Sequence, residues 1–535
     1  MFDLLIAGGL VYDGQGGTPY RADVGVVGER IVALGRLGER EAVRTISAGG
    51  QAVCPGFIDM HSHADLAVLT EPLAPAKVRQ GVTTQLVGQC GLGPAPTTVE
   101  SAGPWRQTLA GVLGDQPSEW PWRTFASYLD YLARARPALN VATLATFGAI
   151  RSAVLGLDDR SPDDRQLAAM AGYVDEALAT GAYGLSVGLV YLPCFFAERE
   201  ELVAVYRRVA AGRALMDIHI RDQADGVLGA LREAVTVADS AGVSLHVSHL
   251  CAAGPRNWGK PQQMLALIDA ARARGQDVTF DQHPYEAGST LLSQVLPAWS
   301  VAGGNQALTA RLADPQIRQR IKREIAENPP ASDPRMPWQN YVDLVGWGNV
   351  LIAGTRSERN RACLGHTVSE IAAERGCEPA DAALDLLLAE EGQVAMVLLN
   401  LYSPADLALI IKHPAGMIGS DDVYVGNPHP RLYGTFPRVL GKFARDDGAL
   451  PLAAAIQRLT SAPASRLGLR DRGVLREGAF ADIVVFDPAS VRDRATYAEP
   501  RQFPEGIFFV AVNGQIAVEE GRQTEARAGH LLRRD

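Results

Sequence analysis

Between residues 55 and 421 one pattern repeats: a short apolar segment, then a longer amphipathic one. Eight apolar segments can be marked, ending near His61, Cys90, Phe147, Val190, His219, His249, Tyr285 and Asp421. Helical spacing fills most of the intervals, for example 163–180 and 262–274. Strands that alternate with helices read as βαβ units, whose crossovers bring successive strands together in parallel. Eight such units predict an α/β fold of the TIM-type (β/α)8 barrel, with its site on the rim formed by the C-terminal strand ends.

Two regions depart from the repeat. The first 50 residues read as short strands and turns, including a hairpin over 22–35 that turns at Gly28-Glu29. The same texture returns over 473–487 and 507–514. A small β-sandwich domain built from both termini, 1–54 plus 445–535, is therefore expected beside a barrel over 55–444; two separate end domains are the alternative. The interval from Tyr285 to Met417 is also too long for an ordinary βα connection. Within it 315–324 reads as helix and 328–334 is rich in proline. An insertion after the seventh strand, at about 295–350, would sit on the rim and act as a lid, with a peripheral decoration as the alternative.

The strand ends carry the chemistry. His61 and His63 stand at i and i+2 on an extended segment, so their imidazoles share a face and can converge on one ion. Cys90, His219, His249 and Asp421 close four other strands. Each alone reads equally as a hydrogen-bonded core histidine or an inert cysteine. On one rim, nitrogen, thiolate and carboxylate donors together suit Zn²⁺. His246 alternates to the face opposite His249 and reads as structural, and His366, His413 and His530 are given no role. His429, beside Pro430-Arg431, is a candidate for support.

A chain of 535 residues with 47% hydrophobic and 21% charged residues is of ordinary globular composition and can bury a large core. A formal charge of −9 without Lys/Arg-rich runs argues against a nucleic-acid surface. No segment nears the ~18 continuous apolar residues of a membrane span. The start lacks the basic leader and apolar core of a signal peptide, and the six cysteines are spread without a paired pattern. A cytoplasmic location is expected, and nothing in the chain sets an oligomeric state. Lysine is scarce: it occurs at 77, 260, 322, 412 and 442.

Taken together, residues 55–63, Gly88-Gln89-Cys90-Gly91, His219-Ile220-Arg221-Asp222, Ser248-His249 with 254–260, 284–290, Gly419-Ser420-Asp421 and 429–440 resemble the amidohydrolase superfamily. Within it the chain resembles the N-acyl-D-amino-acid deacylases (D-aminoacylases), over nearly its whole length. The resemblance implies one tight zinc held by Cys90, His219 and His249. It implies a second, weaker position at His61, His63 and Asp421, with Cys90 able to bridge. Many relatives bridge two metals with a carboxylated lysine from the fourth strand; no lysine lies between 77 and 260, which supports Cys90 as the substitute.

The implied activity is zinc-dependent hydrolysis of the amide bond of N-acyl-D-amino acids, or of closely similar N-acyl amino acids, by metal-activated hydroxide. Asp421 would serve as general base, then as general acid toward the departing amine. The resembled deacylases hold the substrate carboxylate with a lysine after the strand-six histidine, a tyrosine after strand seven and an arginine after strand eight. Tyr285 and Arg431 match the last two, with Ser289 as a neighbour, and the planar fork of arginine suits a carboxylate. The lysine position holds Cys251, whose thiol cannot replace an ammonium. Further departures are Thr146-Phe147-Gly148, where many relatives carry a histidine before the glycine, and Gln223, where an acid is common. The expected partner is a small amide. A cyclic amide or dipeptide is the alternative substrate, and a non-catalytic scaffold the alternative function.

Overall fold

The structure, a computed structural model, describes residues 1–38, 41–114, 117–329 and 338–534. The apolar segments of the middle are strands, labelled β1 to β8: β1 Phe57–Asp59, β2 Val82–Val87, β3 Asn140–Thr143 continued by Ala145–Thr146, β4 Gly184–Gly188, β5 Leu215–His219, β6 Ser244–Val247, β7 Val278–Gln282 and β8 Gly416–Ile418. All of them pair in parallel. β1, β2 and β3 form one sheet, and the continuation of β3 leads β4 through β8 in a second. Met60 N–H donates to Ile418 O at 3.2 Å and Ser62 bridges Asp422 in parallel register, so β1 also meets β8. The strands are buried almost throughout, which explains their continuous rather than alternating apolar sequence.

Local chemistry sets the helices between them. Asp164–Ala179 starts at Asp163, whose carboxylate accepts Gln166 N–H while the Gln166 side chain accepts Asp163 N–H. Pro261–Ala273 begins with proline, whose missing N–H costs nothing in a first turn. Both coincide with the expected stretches within a residue or two.

Strands from the two termini share one nine-stranded sheet. Ile483–Phe486 pairs antiparallel with Ala52–Pro55, placing Val484 against Cys54, and thereby joins the C-terminal strands to Phe2–Val11, Tyr20–Val27 and Arg30–Gly35. Leu4, Ile6, Val24, Val26, Val53, Ile483, Val485 and Phe509 fill its core. The hairpin turns at Gly28-Glu29, where Gly28 has φ +56°.

The connection from β7 to β8 differs from the sequence expectation. Beyond the helices Gly304–Ala313 and Pro315–Glu327 it contains a three-stranded antiparallel sheet in the order Gly288–Leu291, Ala395–Leu398, Val350–Gly354. The independent structure therefore reaches on both sides of the expected 295–350 segment. Short apolar runs such as Ala395-Met396-Val397-Leu398 carry no period that separates strand from helix, so the sequence left this sheet unmarked. Part of the expected lid, 330–337, lies outside the described residues.

Candidate metal centre

The parallel strands deliver their C-terminal ends to one place. His61 and His63 follow β1, Cys90 follows β2, His219 is the last residue of β5, His249 follows β6 and Asp421 follows β8. Three of these six adopt left-handed backbone: Cys90 (φ 55°), His249 (φ 33°) and Asp421 (φ 50°). Such conformations cost about 1–3 kcal/mol for a residue with a side chain and cluster where a site fixes geometry. Each turns a side chain into the mouth of the strands just after its strand has ended.

The Cys90 thiol is the hub. Its Sγ lies 3.4 Å from His61 Nε2, 3.6 Å from His219 Nδ1 and 3.4 Å from His249 Nε2. A tetrahedral zinc with Zn–S near 2.3 Å and Zn–N near 2.05 Å separates its sulfur and nitrogen ligands by roughly 3.5 Å. Asp421 Oδ1 lies 3.6 Å from His61 Nε2 and 3.4 Å from His63 Nε2. The donor atoms of three trios fall within 4.8 Å of one another: His61, His63 and Cys90; Cys90, His219 and His249; and His61, His249 and Asp421. Donor chemistry and spacing both fit a zinc ion.

The electrostatics favour ligand-competent forms at His219, His249 and Asp421. Burial, then repulsion from His249, holds the His219 pKa well below the usual histidine range. Burial also lowers His249, to about 4, so both imidazoles are neutral with a free lone pair at pH 7. For Asp421, burial opposes ionisation, but Arg431 and the neighbouring histidines outweigh it and hold the carboxyl well below its ordinary value. Arg431 NH1 stands 2.8 Å from Asp421 Oδ2. With no metal, burial pushes the Cys90 thiol up to about 12, so thiolate forms only with a cation in place.

Supporting contacts include several that the sequence did not reveal. Asp281, near the end of β7, accepts His249 N–H at 3.1 Å through Oδ1; its Oδ2 lies 3.4 Å from His61 Nδ1 and 3.1 Å from His246 Nε2. A carboxylate on Nδ1 fixes the tautomer that leaves Nε2 for a metal. Its position at a strand end was the available signal. Gln223, noted only as a departure from relatives, has its amide 2.9 Å from His249 Nδ1. His246 bonds Thr279 and Asp281 and belongs to none of the trios, though it shares the Asp281 carboxylate with His61. His429 accepts Arg431 N–H at 3.0 Å and its Nε2 is 3.2 Å from Ala287 O, so it braces Arg431.

The residues expected to hold substrate are divided. Arg431 and Ser289 line the cleft over the trios, together with Tyr191, Gln223, Tyr341 and Tyr402. Tyr285 and Cys251 do not. The Tyr285 hydroxyl donates to Asp493 Oδ2 at 3.3 Å, and the Arg438 guanidinium lies 4.6 Å from its ring centre. Gly434 leaves the space for that hydroxyl: a Cβ there would come within 2.4 Å of it. Sequence spacing after β7 could not show which way this tyrosine turns. Cys251 is buried behind the wall in hydrogen-bond contact with Tyr402, and burial raises its thiol to about 12. His283, absent from the sequence reading, is buried with its ring 5.7 Å from that of Tyr402.

Known proteins match this chain over its whole length. The amidohydrolase family model matches residues 44–518. A D-aminoacylase of Alcaligenes xylosoxydans xylosoxydans is 35% identical over 536 residues, covering 100% of this chain and 98% of the relative. An N-acyl-D-glutamate deacylase of the same organism is 37% identical, covering 100% and 97%. The crystal structure of N-acyl-D-glutamate deacylase from Bordetella bronchiseptica, complexed with zinc and a phosphonate mimic of the tetrahedral intermediate, superposes with a TM-score of 0.84 at 34% identity, covering 99% of both chains. With the strand-end donors converging as they do, the chain belongs to the amidohydrolase family.

Proposed function

We propose that the chain is a zinc-dependent hydrolase that cleaves the amide bond of N-acyl-D-amino acids. The observation that carries this is the Cys90 thiol, 3.4–3.6 Å from three imidazole nitrogens on the rim where the family's D-aminoacylase and deacylase relatives match the chain. Cys90, His219 and His249 would hold one tight zinc; His61, His63 and Asp421 would offer a weaker second position. A bound zinc there supplies an acidic water and polarises a carbonyl.

The chain's own residues do the rest. Asp421, ionised at neutral pH, accepts the proton from water at Oδ1 and returns it to the departing amine. Arg431 orients Asp421 through NH1, while its Nε is buried without a hydrogen-bond partner and would be the donor for a substrate carboxylate. Ser289 is the neighbouring polar contact. Tyr285 reaches substrate only if its hydroxyl leaves Asp493, and Cys251 contributes packing against Tyr402 rather than charge. Arg431 is thus the only lysine or arginine among the described residues that line the cleft, which matches a substrate with one carboxylate.

The eight parallel strands, with β1 touching β8, support a closed (β/α)8 barrel over 55–444. The shared terminal sheet supports a small β domain built from both termini, while the helices Leu452–Leu459 and Ser461–Leu467, expected in that domain, pack on the barrel, where Ala464 and Leu467 share a core with Ile58, Met60 and Met417. Tyr341, from the insertion after β7, lines the cleft, which supports a lid role for the segment around 295–350. Among the described residues no helix is long and apolar enough to cross a membrane, and a cytoplasmic location suits the free cysteines. Assay of zinc-loaded protein on N-acetyl-D-amino acids tests the function. Hydrolysis of cyclic amides or dipeptides with no turnover of these substrates would overturn the deacylase reading.

A further inference from the structure

Directly behind His61, His63 and Asp421 lies a buried cluster that the proposed chemistry does not use: Asp59, Lys77, Ser420 and Asp422, all with no exposed surface. Lys77 Nζ donates to Asp59 Oδ2 and, at 2.6 Å, to Ser420 Oγ, and lies 3.1 Å from Asp422 Oδ2. Ser420 Oγ donates to Asp59 Oδ2 at 2.6 Å.

The two carboxylates spend their other oxygens on the backbone of the site. Asp59 Oδ1 accepts His61 N–H at 3.2 Å and Ser420 N–H at 2.8 Å. Asp422 Oδ1 accepts His63 N–H at 3.1 Å. Asp421 N–H, between the two clamped positions, donates to His61 O at 2.8 Å. One ammonium therefore ties β1 to β8 through three groups, Asp59, Ser420 and Asp422, each bonded to the backbone of a donor residue or its neighbour.

We propose that Lys77 is a positioning residue: it holds His61 and His63 in register with Asp421, and so sets the second metal position and the aim of the general base. This rests on the metal-site reading above. The physical case is that a ligand set must be held within about 0.5 Å, and that a shift near 1 Å costs about 100-fold in rate. A buried cluster of paired ions and directed hydrogen bonds is stiffer than apolar packing at the same place. Among the described residues Cys90, His219 and His249 make no hydrogen bond to this cluster and meet it only through His61, so their zinc should depend on it far less than the second position does.

The test compares three variants: Lys77→Met, Lys77→Met with Asp59→Asn, and Ser420→Ala. Lys77→Met leaves carboxylates without their cation; the double variant removes one of them; Ser420→Ala deletes one oxygen and keeps every charge paired. Each is followed by circular dichroism, by zinc titration against a chelator, and by kcat and KM on an N-acetyl-D-amino acid. The expected result is folded protein with the tight zinc retained, the weaker zinc loosened about tenfold or more, and kcat down about 10–100-fold with KM within about threefold. Ser420→Ala should move in the same direction by a smaller factor. Should the lysine variants fail to fold, Ser420→Ala decides alone. Any folded variant with the wild-type weak-zinc affinity and kcat overturns the proposal. Wild-type protein that binds no zinc overturns the metal-site reading and this proposal with it, whereas wild-type protein with zinc but no deacylase turnover overturns only the substrate.

Discussion

Replacing Cys90 by alanine puts the hub to the test. Its sulfur lies 3.4–3.6 Å from His61, His219 and His249, so one substitution removes a donor common to both metal positions. Zinc sites of this kind bind with apparent free energies of about 10–16 kcal/mol, and one of three or four ligands carries about 3–4 kcal/mol of that. At 1.4 kcal/mol per decade, Cys90→Ala should weaken the tight zinc by about 100–1,000-fold. The fold itself should lose little. Without metal the residue is a small buried hydrophobe with a protonated thiol, and deleting one heavy atom costs about 1 kcal/mol. Zinc per chain after dialysis against a mild chelator, measured beside the unfolding midpoint of the metal-free protein, separates the two effects. Unchanged zinc content in a folded Cys90→Ala protein would refute the ligand set.

Asp421→Asn should lower kcat by about 10²–10⁴-fold while the zinc at Cys90, His219 and His249 stays bound, read by steady-state kinetics with metal analysis. Zinc affinity should rise with pH. Metal-free Cys90 holds its proton up to about 12, and His61 is raised well above its usual value because Asp281 and Cys90 outweigh its burial. Binding therefore releases up to two protons near neutrality, and the association constant should grow about 10–100-fold per pH unit, a slope that competition titrations at pH 6, 7 and 8 will measure. N-acetyl-D-leucine should be a better substrate than N-acetyl-D-glutamate by at least about tenfold in kcat/KM, because no second cation lines the described cleft for a side-chain carboxylate. Arg472→Met should cost about 3–5 kcal/mol in urea unfolding, since it strands Asp482, to which Arg472 donates beside Asn513.

The repeat of apolar and helical segments made most of the architecture legible, because parallel strands covered on both faces leave short unbroken apolar runs. The six donors were legible for a related reason: a polar, metal-competent residue that ends an apolar run has only the rim to occupy. What escaped depended on side-chain direction or on contacts distant in sequence. Tyr285 turns toward Asp493 because Gly434 leaves room for its hydroxyl, a relation spanning the whole insertion. Asp281 and Gln223 looked like ordinary residues until His61 and His249 were seen against them. The sheet at 288–398 was hidden because its strands have no period of their own.

Charge balance connects these observations. Around the trios stand Asp281 and Asp421, with Arg431 paired to Asp421. Behind them Lys77 faces Asp59 and Asp422. In the metal-free protein the raised proton affinity of His61 offsets part of the surplus of carboxylates, and Cys90, as a neutral thiol, adds no further negative charge. A dication that displaces the His61 proton and the thiol proton leaves the net charge of the buried site unchanged. The site can then stay buried both with and without its metal, since loading adds no net charge to a low-dielectric interior. An aspartate in place of Cys90 would weaken this exchange. Burial would raise its pKa too, but from an ordinary value near 4 rather than 8.5, so it would hold its proton less firmly than the thiol before metal arrived. A thiol, protonated when alone and thiolate when coordinated, is the side chain whose charge follows the metal.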